Sequence, residues 1–180
     1  GVVYNEMKGA FSSPDEVLER EIMNHLFPDT TYGCESGGDP KNIPDLTYEN
    51  FLNFHRTYYH PSNSYIYLYG NMDMEEKLAF LDEHYLSHFD YLDVDSVIQE
   101  QKAFGACRDV TLEYPVAENE GEEDNTYLSY NMVVGNAADS QMAMAFEVLD
   151  YALLSAPGAP LKQALLDVKA GKDVYGSYDD

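Results

Sequence analysis

Apolar positions along the first ninety residues recur mainly at helical spacing, interrupted once by strict alternation. Val3, Met7 and Ala10 fall on one stripe, with Glu6 and Lys8 off it, so Val2 to Phe11 is predicted as a short amphipathic helix. Ser13-Pro14-Asp15-Glu16 reads as a fresh start. Ser13 can cap, Pro14 suits the first turn, and Glu16 sits where a capping box closes. Val17, Leu18, Ile22 and Leu26 supply that helix's apolar stripe, and Phe27-Pro28 ends it. Asp29 to Asp45 is a long irregular stretch holding three glycines and two prolines, a length that is uncommon unless functional or well packed. Thr47 caps the next helix, with Leu46 placed to pack on Phe51 as a hydrophobic staple. That helix must close before His60-Pro61. Ser64 to Gly70 then alternates, Tyr65, Tyr67 and Tyr69 on one face and Ile66 and Leu68 on the other, as a strand does. Asp73 to Phe89 returns to helical spacing, with Leu78, Leu81, Tyr85 and Phe89 inward.

Asp90 to Ala106 shows neither period and reads as a connector. Val110, Leu112 and Tyr114 alternate and stop at Pro115. Leu128, Tyr130, Met132 and Val134 make the returning strand of a predicted antiparallel hairpin, whose tip is the acidic loop from Ala117 to Asn125. Asp139 to Leu154 is predicted helical, with Met142, Phe146, Leu149 and Leu153 on one face. Ser155 to Pro160 breaks the chain, Pro160 starts another helix, and Gly171 ends it. Val174 to Asp180 reads as a strand without a partner. Helices mixed with antiparallel strands predict an α+β fold, antiparallel sheets with packed helices, with a boundary in the connector. The expected division is residues 1–93 and 94–180.

Composition narrows the function classes. Sixteen tyrosines and eight phenylalanines belong to a chain that folds. No apolar run approaches the ~20 residues of a membrane span, so no membrane partner is expected. Thirty-three acids against ten bases give a formal charge of −23. That argues against nucleic acid, whose phosphates call for Lys and Arg, and favours solubility and cationic partners. Cys34 and Cys107 lie far apart with no metal or redox spacing, and two free thiols suit a reducing compartment such as the bacterial cytoplasm or an organellar matrix. The chain opens at Gly1, directly on an apolar run and with no basic-then-apolar leader, the pattern expected of a segment cut from something longer.

Few side chains suggest chemistry by themselves. His84 and His88 share the i, i+4 spacing of zinc-binding helices, but position 85 is Tyr where such a helix needs Glu, so they are expected to be solvent-facing and metal-free. His55 and His60 flank Tyr58-Tyr59, and His60-Pro61-Ser62-Asn63 reads as a helix stop followed by a turn. Ser36-Gly37-Gly38 could form a small amide nest for an anion, without the Lys of a phosphate loop. The acidic loop has no EF-hand pattern. Glu6, by composition, is a surface glutamate.

An ordered series of short motifs changes the reading of Glu6. Val2-Val3-Tyr4-Asn5-Glu6-Met7-Lys8-Gly9 resembles a segment of presequence-protease-type metallopeptidases. Phe11-Ser12-Ser13-Pro14, Phe27-Pro28-Asp29, Thr31-Tyr32-Gly33 and Ser36-Gly37-Gly38-Asp39-Pro40 follow in the same order. So do Ile43-Pro44, Phe54-His55, Tyr58 to Asn63, Tyr69-Gly70-Asn71 and, later, Leu153 to Leu161. The chain is thereby similar to the presequence-protease branch of the pitrilysin/insulinase family of zinc metallopeptidases.

That resemblance implies the α+β metallohydrolase architecture shared with LuxS and the mitochondrial processing peptidase. It makes residues 1–93 the end of a zinc-site domain and 94–180 the opening of a second, non-catalytic domain. It implies an inverted His-x-x-Glu-His motif whose two histidines bind zinc and whose glutamate is the general base. It makes Glu6 the third protein ligand, leaving one zinc position for water. No His-x-x-Glu-His occurs in these 180 residues. The implied activity, degradation of unfolded peptides inside a closing chamber, therefore belongs to a longer parent that supplies the missing N- and C-terminal parts. The rival reading is a non-catalytic scaffold or assembly subunit on the same fold. A third, an acidic protein-binding module, does not explain the motif series.

Overall fold

The computed structural model describes every residue except Glu118, Glu120, Glu122, Asp124, Ala170 and Asp180. Its contacts divide the chain into two units, Gly1–Ser129 and Tyr130–Asp180.

The first unit is a series of locally capped helices. Helix α1 is Val2–Ala10 and α2 is Pro14–Leu26. Ser13 holds an extended backbone, and its hydroxyl accepts the Glu16 N–H at 3.2 Å, satisfying a donor that the new helix leaves without an internal partner. A 3₁₀ turn, Thr31–Gly33, folds back so that Asn24 Nδ2 donates to the Gly33 carbonyl at 3.0 Å. Helix α3, Tyr48–Tyr58, starts with a full capping box. Thr47 Oγ1 accepts the Asn50 N–H at 3.1 Å, and Asn50 Oδ1 accepts the Thr47 N–H at 3.1 Å. Leu46 and Phe51 both stay exposed, so the expected staple shields neither. The stop at His60-Pro61 is a 3₁₀ turn, Pro61–Asn63, whose first amide bonds to His60 itself: Nδ1 accepts the Ser62 N–H at 3.2 Å. Helix α4, Met74–His84, is capped by Asp73, which accepts the Glu76 N–H at 3.0 Å. It ends earlier than its apolar spacing suggests. Tyr85 turns to φ −140°, ψ −67°, and Leu86–His88 continues only as a 3₁₀ turn.

The connector is stitched back onto this unit. Ser62 Oγ accepts the Leu92 N–H at 3.1 Å, and Ser96 Oγ donates to Asn63 Oδ1 at 2.6 Å. Gln101 grips Asp29 twice, accepting its N–H at 3.0 Å and donating to its carboxylate at 2.7 Å. Arg108 lays its guanidinium over the Phe104 ring at 3.7 Å and donates to the His25 carbonyl. These bonds tie the connector as far as Arg108 to the first unit, which continues to Ser129.

In the second unit, Asp139 caps α5, Ser140–Asp150, by accepting the Met142 N–H at 3.1 Å. The helix continues as a π turn, Tyr151–Ser155, closed by the Ala156 N–H on the Tyr151 carbonyl at 2.8 Å. Helix α6, Pro160–Asp167, stops short of Gly171, with Lys169 at a φ of 55°. Ala143 and Ala159, 7% and 4% exposed, are the buried apolar residues among those described. Phe146 and Tyr178 stack at 5.5 Å, and Lys162 lies 3.7 Å from Asp173. Among the described residues no helix is long and apolar enough to cross a membrane.

The α+β expectation is not met. Among the described residues there is no strand and therefore no antiparallel sheet, and the chain is helical with irregular connections. Among the described residues the alternating segments at Ser64 to Gly70, Val110 to Tyr114 and Leu128 to Val134 form no strand. Tyr65, Tyr67 and Tyr69 are 106%, 84% and 84% exposed, and Leu128 is 94% exposed. Alternation states which side chains share a face, and Tyr67 and Tyr69 do stack, 6° from parallel. A strand, however, is defined by a neighbour's N–H and C=O groups, which alternation does not supply. The predicted hairpin is drawn together by side chains instead: Tyr114 and Tyr127 meet edge to face at 5.6 Å, and the Tyr114 hydroxyl donates to the Asn125 carbonyl. Four residues of its acidic tip lie outside those described.

Because α3 depends on its cap more than on burial, Thr47→Ala is expected to speed amide exchange in its first turn about fivefold, the equivalent of about 1 kcal/mol. Thr47→Ser should restore it, and unchanged exchange in the Ala variant would show that the cap does not hold the helix.

Candidate metal ligand and its surroundings

Glu6 lies in the middle of α1 with its side chain exposed. Among the described residues its carboxylate makes no hydrogen bond or ion pair, so it is free to meet a cation. Its neighbours on the helix are engaged elsewhere. Met7 rests against Gly37, where a β-carbon would come 2.4 Å from its sulfur. Met7, Ala10 and Phe11 line a small hollow together with Glu16, Arg20 and Glu35. Arg20 closes one wall, its guanidinium 4.3 Å from the Phe11 ring centre and held by Glu21 at 2.7 Å.

The donor set around Glu6 does not complete a metal site. Among the described residues no group of three or more His, Cys, Asp or Glu side chains could hold an ion. A carboxylate oxygen suits zinc as one ligand of three, so Glu6 fits that role, and the chain supplies no second donor beside it.

The remaining candidates resolve into structural parts. His84 ends α4 with its ring 4.6 Å from Phe80, whereas His88 lies past the break at Tyr85, so the pair no longer shares a helical face; both are exposed. His55 stacks on Tyr59 at 4.8 Å, and His60 meets Phe89 edge-on at 5.3 Å. Phe54, Tyr58 and Tyr85 join these two histidines around an open concavity of about 530 Å³, which has no carboxylate among its lining residues. The amide nest at Ser36-Gly37-Gly38 is filled from within: Glu35 Oε1 accepts the Gly37 N–H at 3.2 Å. Cys34 and Cys107 are free and exposed. The contact between Met7 and the Gly37 loop escaped sequence reasoning. Its only trace was a pair of glycines in a long loop.

The chain is similar in sequence to known proteins along its whole length. Residues 45–180 match the sequence model of a family described as the peptidase M16 inactive domain. Glu6 lies ahead of that range. The chain is 52% identical over 180 residues to Protein HypA of Clostridium perfringens, covering 100% of this chain and 18% of that protein. It is 39% identical over 180 residues to presequence protease 1, chloroplastic/mitochondrial, of Arabidopsis thaliana, covering 98% and 17%. It is 36% identical over 174 residues to the mitochondrial presequence protease of Xenopus laevis, covering 96% and 17%. The chain thus spans less than a fifth of the length of these relatives.

Zinc titration of the 180-residue chain should give weak binding that neither Glu6→Gln nor His84→Ala alters. Tight, stoichiometric binding abolished by Glu6→Gln would mean that the chain builds a site from its own donors.

Proposed function

We propose, from the premise that this chain belongs to the peptidase M16 family, that it is part of a zinc metalloendopeptidase that degrades unfolded peptides. One observation carries the reading: 39% identity to a presequence protease over 98% of this chain. The ordered motifs of the sequence, from Asn5-Glu6-Met7 to Ala159-Pro160-Leu161, follow the same branch.

Within that enzyme the segment has two tasks. Residues 1–93 end the zinc-site domain and bring Glu6 as the third protein ligand, the other two ligands and the general base coming from a His-x-x-Glu-His helix outside this chain. Residues 94–180 open a second domain that takes no part in the chemistry; they lie within the range matched to the family described as inactive, which also takes in residues 45–93. A zinc held by Glu6 and the two histidines of that motif would supply Lewis acidity, acidifying water and polarising a peptide carbonyl. Glu6 contributes negative charge and an oxygen donor to its hold, and its exposed position on α1 leaves the carboxylate accessible to that partner. The exposed tyrosines and leucines are then covered by the missing N- and C-terminal parts of the same polypeptide. The higher identity to the clostridial protein supports a bacterial setting, and the free Cys34 and Cys107 suit a reducing compartment such as the cytoplasm; the plant and frog relatives carry organellar names.

In the full-length polypeptide, Glu6→Gln should lower zinc occupancy and peptide hydrolysis together, because the amide keeps the shape but loses the charge that attracts a divalent cation. An active parent whose zinc content and hydrolysis survive the change would remove Glu6 from the site. A full-length protein that binds no zinc and cleaves no unfolded peptide would instead favour the scaffold reading.

A further inference from the structure

Glu6 can only serve a metal if α1 is held at one rotation about its axis, and the structure shows what holds it. Met7 follows Glu6 and points about 100° away around the helix. Its thioether lies against the α-carbon of Gly37: an added β-carbon would sit 2.4 Å from Sδ and 2.7 Å from Cε. The loop that receives it is locked. Glu35 bonds to two of its amides, its side chain to Gly37 at 3.2 Å and its carbonyl to Gly38 at 3.2 Å. Gly38 keeps a φ of +92°, which side-chain-bearing residues rarely adopt. Asp39 then fixes the following turn, accepting the Lys41 N–H at 2.7 Å and the Ile43 N–H at 2.9 Å. On the same flank, Phe11 is covered by Arg20.

We propose that Met7 is a positioning residue. Lodged against the Gly37 loop, it sets the roll of α1 so that the Glu6 carboxylate faces a bound divalent cation. The inference rests on the reading of Glu6 as a zinc ligand. It adds a mechanical requirement: the ligand's aim is fixed by a thioether packed on a glycine. Groups that orient a metal ligand commonly change affinity 10- to 100-fold when removed.

The test uses the full-length polypeptide, with zinc affinity measured by chelator competition. Met7→Ala should weaken zinc binding about tenfold and lower kcat, leaving KM and the unfolding midpoint near their original values. Met7→Leu, which fills the same space, should behave as the parent does. A thioether can swing aside, so Ala at position 37 is too small a probe. Gly37→Val, which occupies the thioether's place, should mimic Met7→Ala, and combining the two should recover part of the affinity. The proposal is overturned if Met7→Ala and Gly37→Val both leave zinc affinity unchanged while Glu6→Gln lowers it. Equal losses in Met7→Leu overturn it too, as does a loss of affinity that only tracks a falling unfolding midpoint. Zinc affinity indifferent to Glu6→Gln removes the ligand reading itself, and the positioning role with it.

Discussion

The first turn of every helix leaves backbone N–H groups without internal partners, and this chain answers that constraint with its own side chains. Ser13, Thr47, Asp73 and Asp139 each cap a helix, and Thr30 and His60 do the same for 3₁₀ turns. With Ala143 and Ala159 as the buried apolar residues among those described, packing contributes little to fixing helix positions. The caps fix where those helices start, and the starts fix which residues look outward. Helix α1 carries no side-chain cap, and Glu6 and Met7 diverge there because successive helical residues point about 100° apart.

This dependence on local chemistry decides what the sequence reveals. A cap is a matter of three or four consecutive residues, so Ser13 and Thr47 could be read directly and both caps form, although among the described residues the reciprocal bond of a capping box comes from Asn50 at Thr47 and not from Glu16 at Ser13. So could the stop at His60-Pro61, where proline forbids continuation and the imidazole takes up the next amide. The sheets could not be read, because a strand's partner lies elsewhere and alternation at Tyr65, Tyr67 and Tyr69 names no partner. The break at Tyr85 was equally hidden. Leu81, Tyr85 and Phe89 keep helical spacing, yet Tyr85 and Phe89 pack ring to ring across a turn, 5.2 Å apart. That break separates His84 from His88.

The candidate site was legible only through a motif. A glutamate on an amphipathic helix is the commonest of surface features, and nothing in its own geometry marks it as a ligand. Its significance comes from the ordered series that includes it, and from relatives many times longer than this chain. Such a division is natural when the donors of one metal site come from distant parts of a polypeptide. Each part looks unremarkable by itself, and the parts acquire a shared function only where the fold brings them together.

The π turn at Tyr151–Ser155 sets the direction in which the chain leaves α5. An i→i+5 hydrogen bond encloses one more residue than an α turn. The Ala156 N–H reaches the Tyr151 carbonyl across that wider turn, and Ala156 itself is extended at φ −65°, ψ 150°. One residue fewer in the turn would rotate the exit after Ala156 by about 100° around the helix axis.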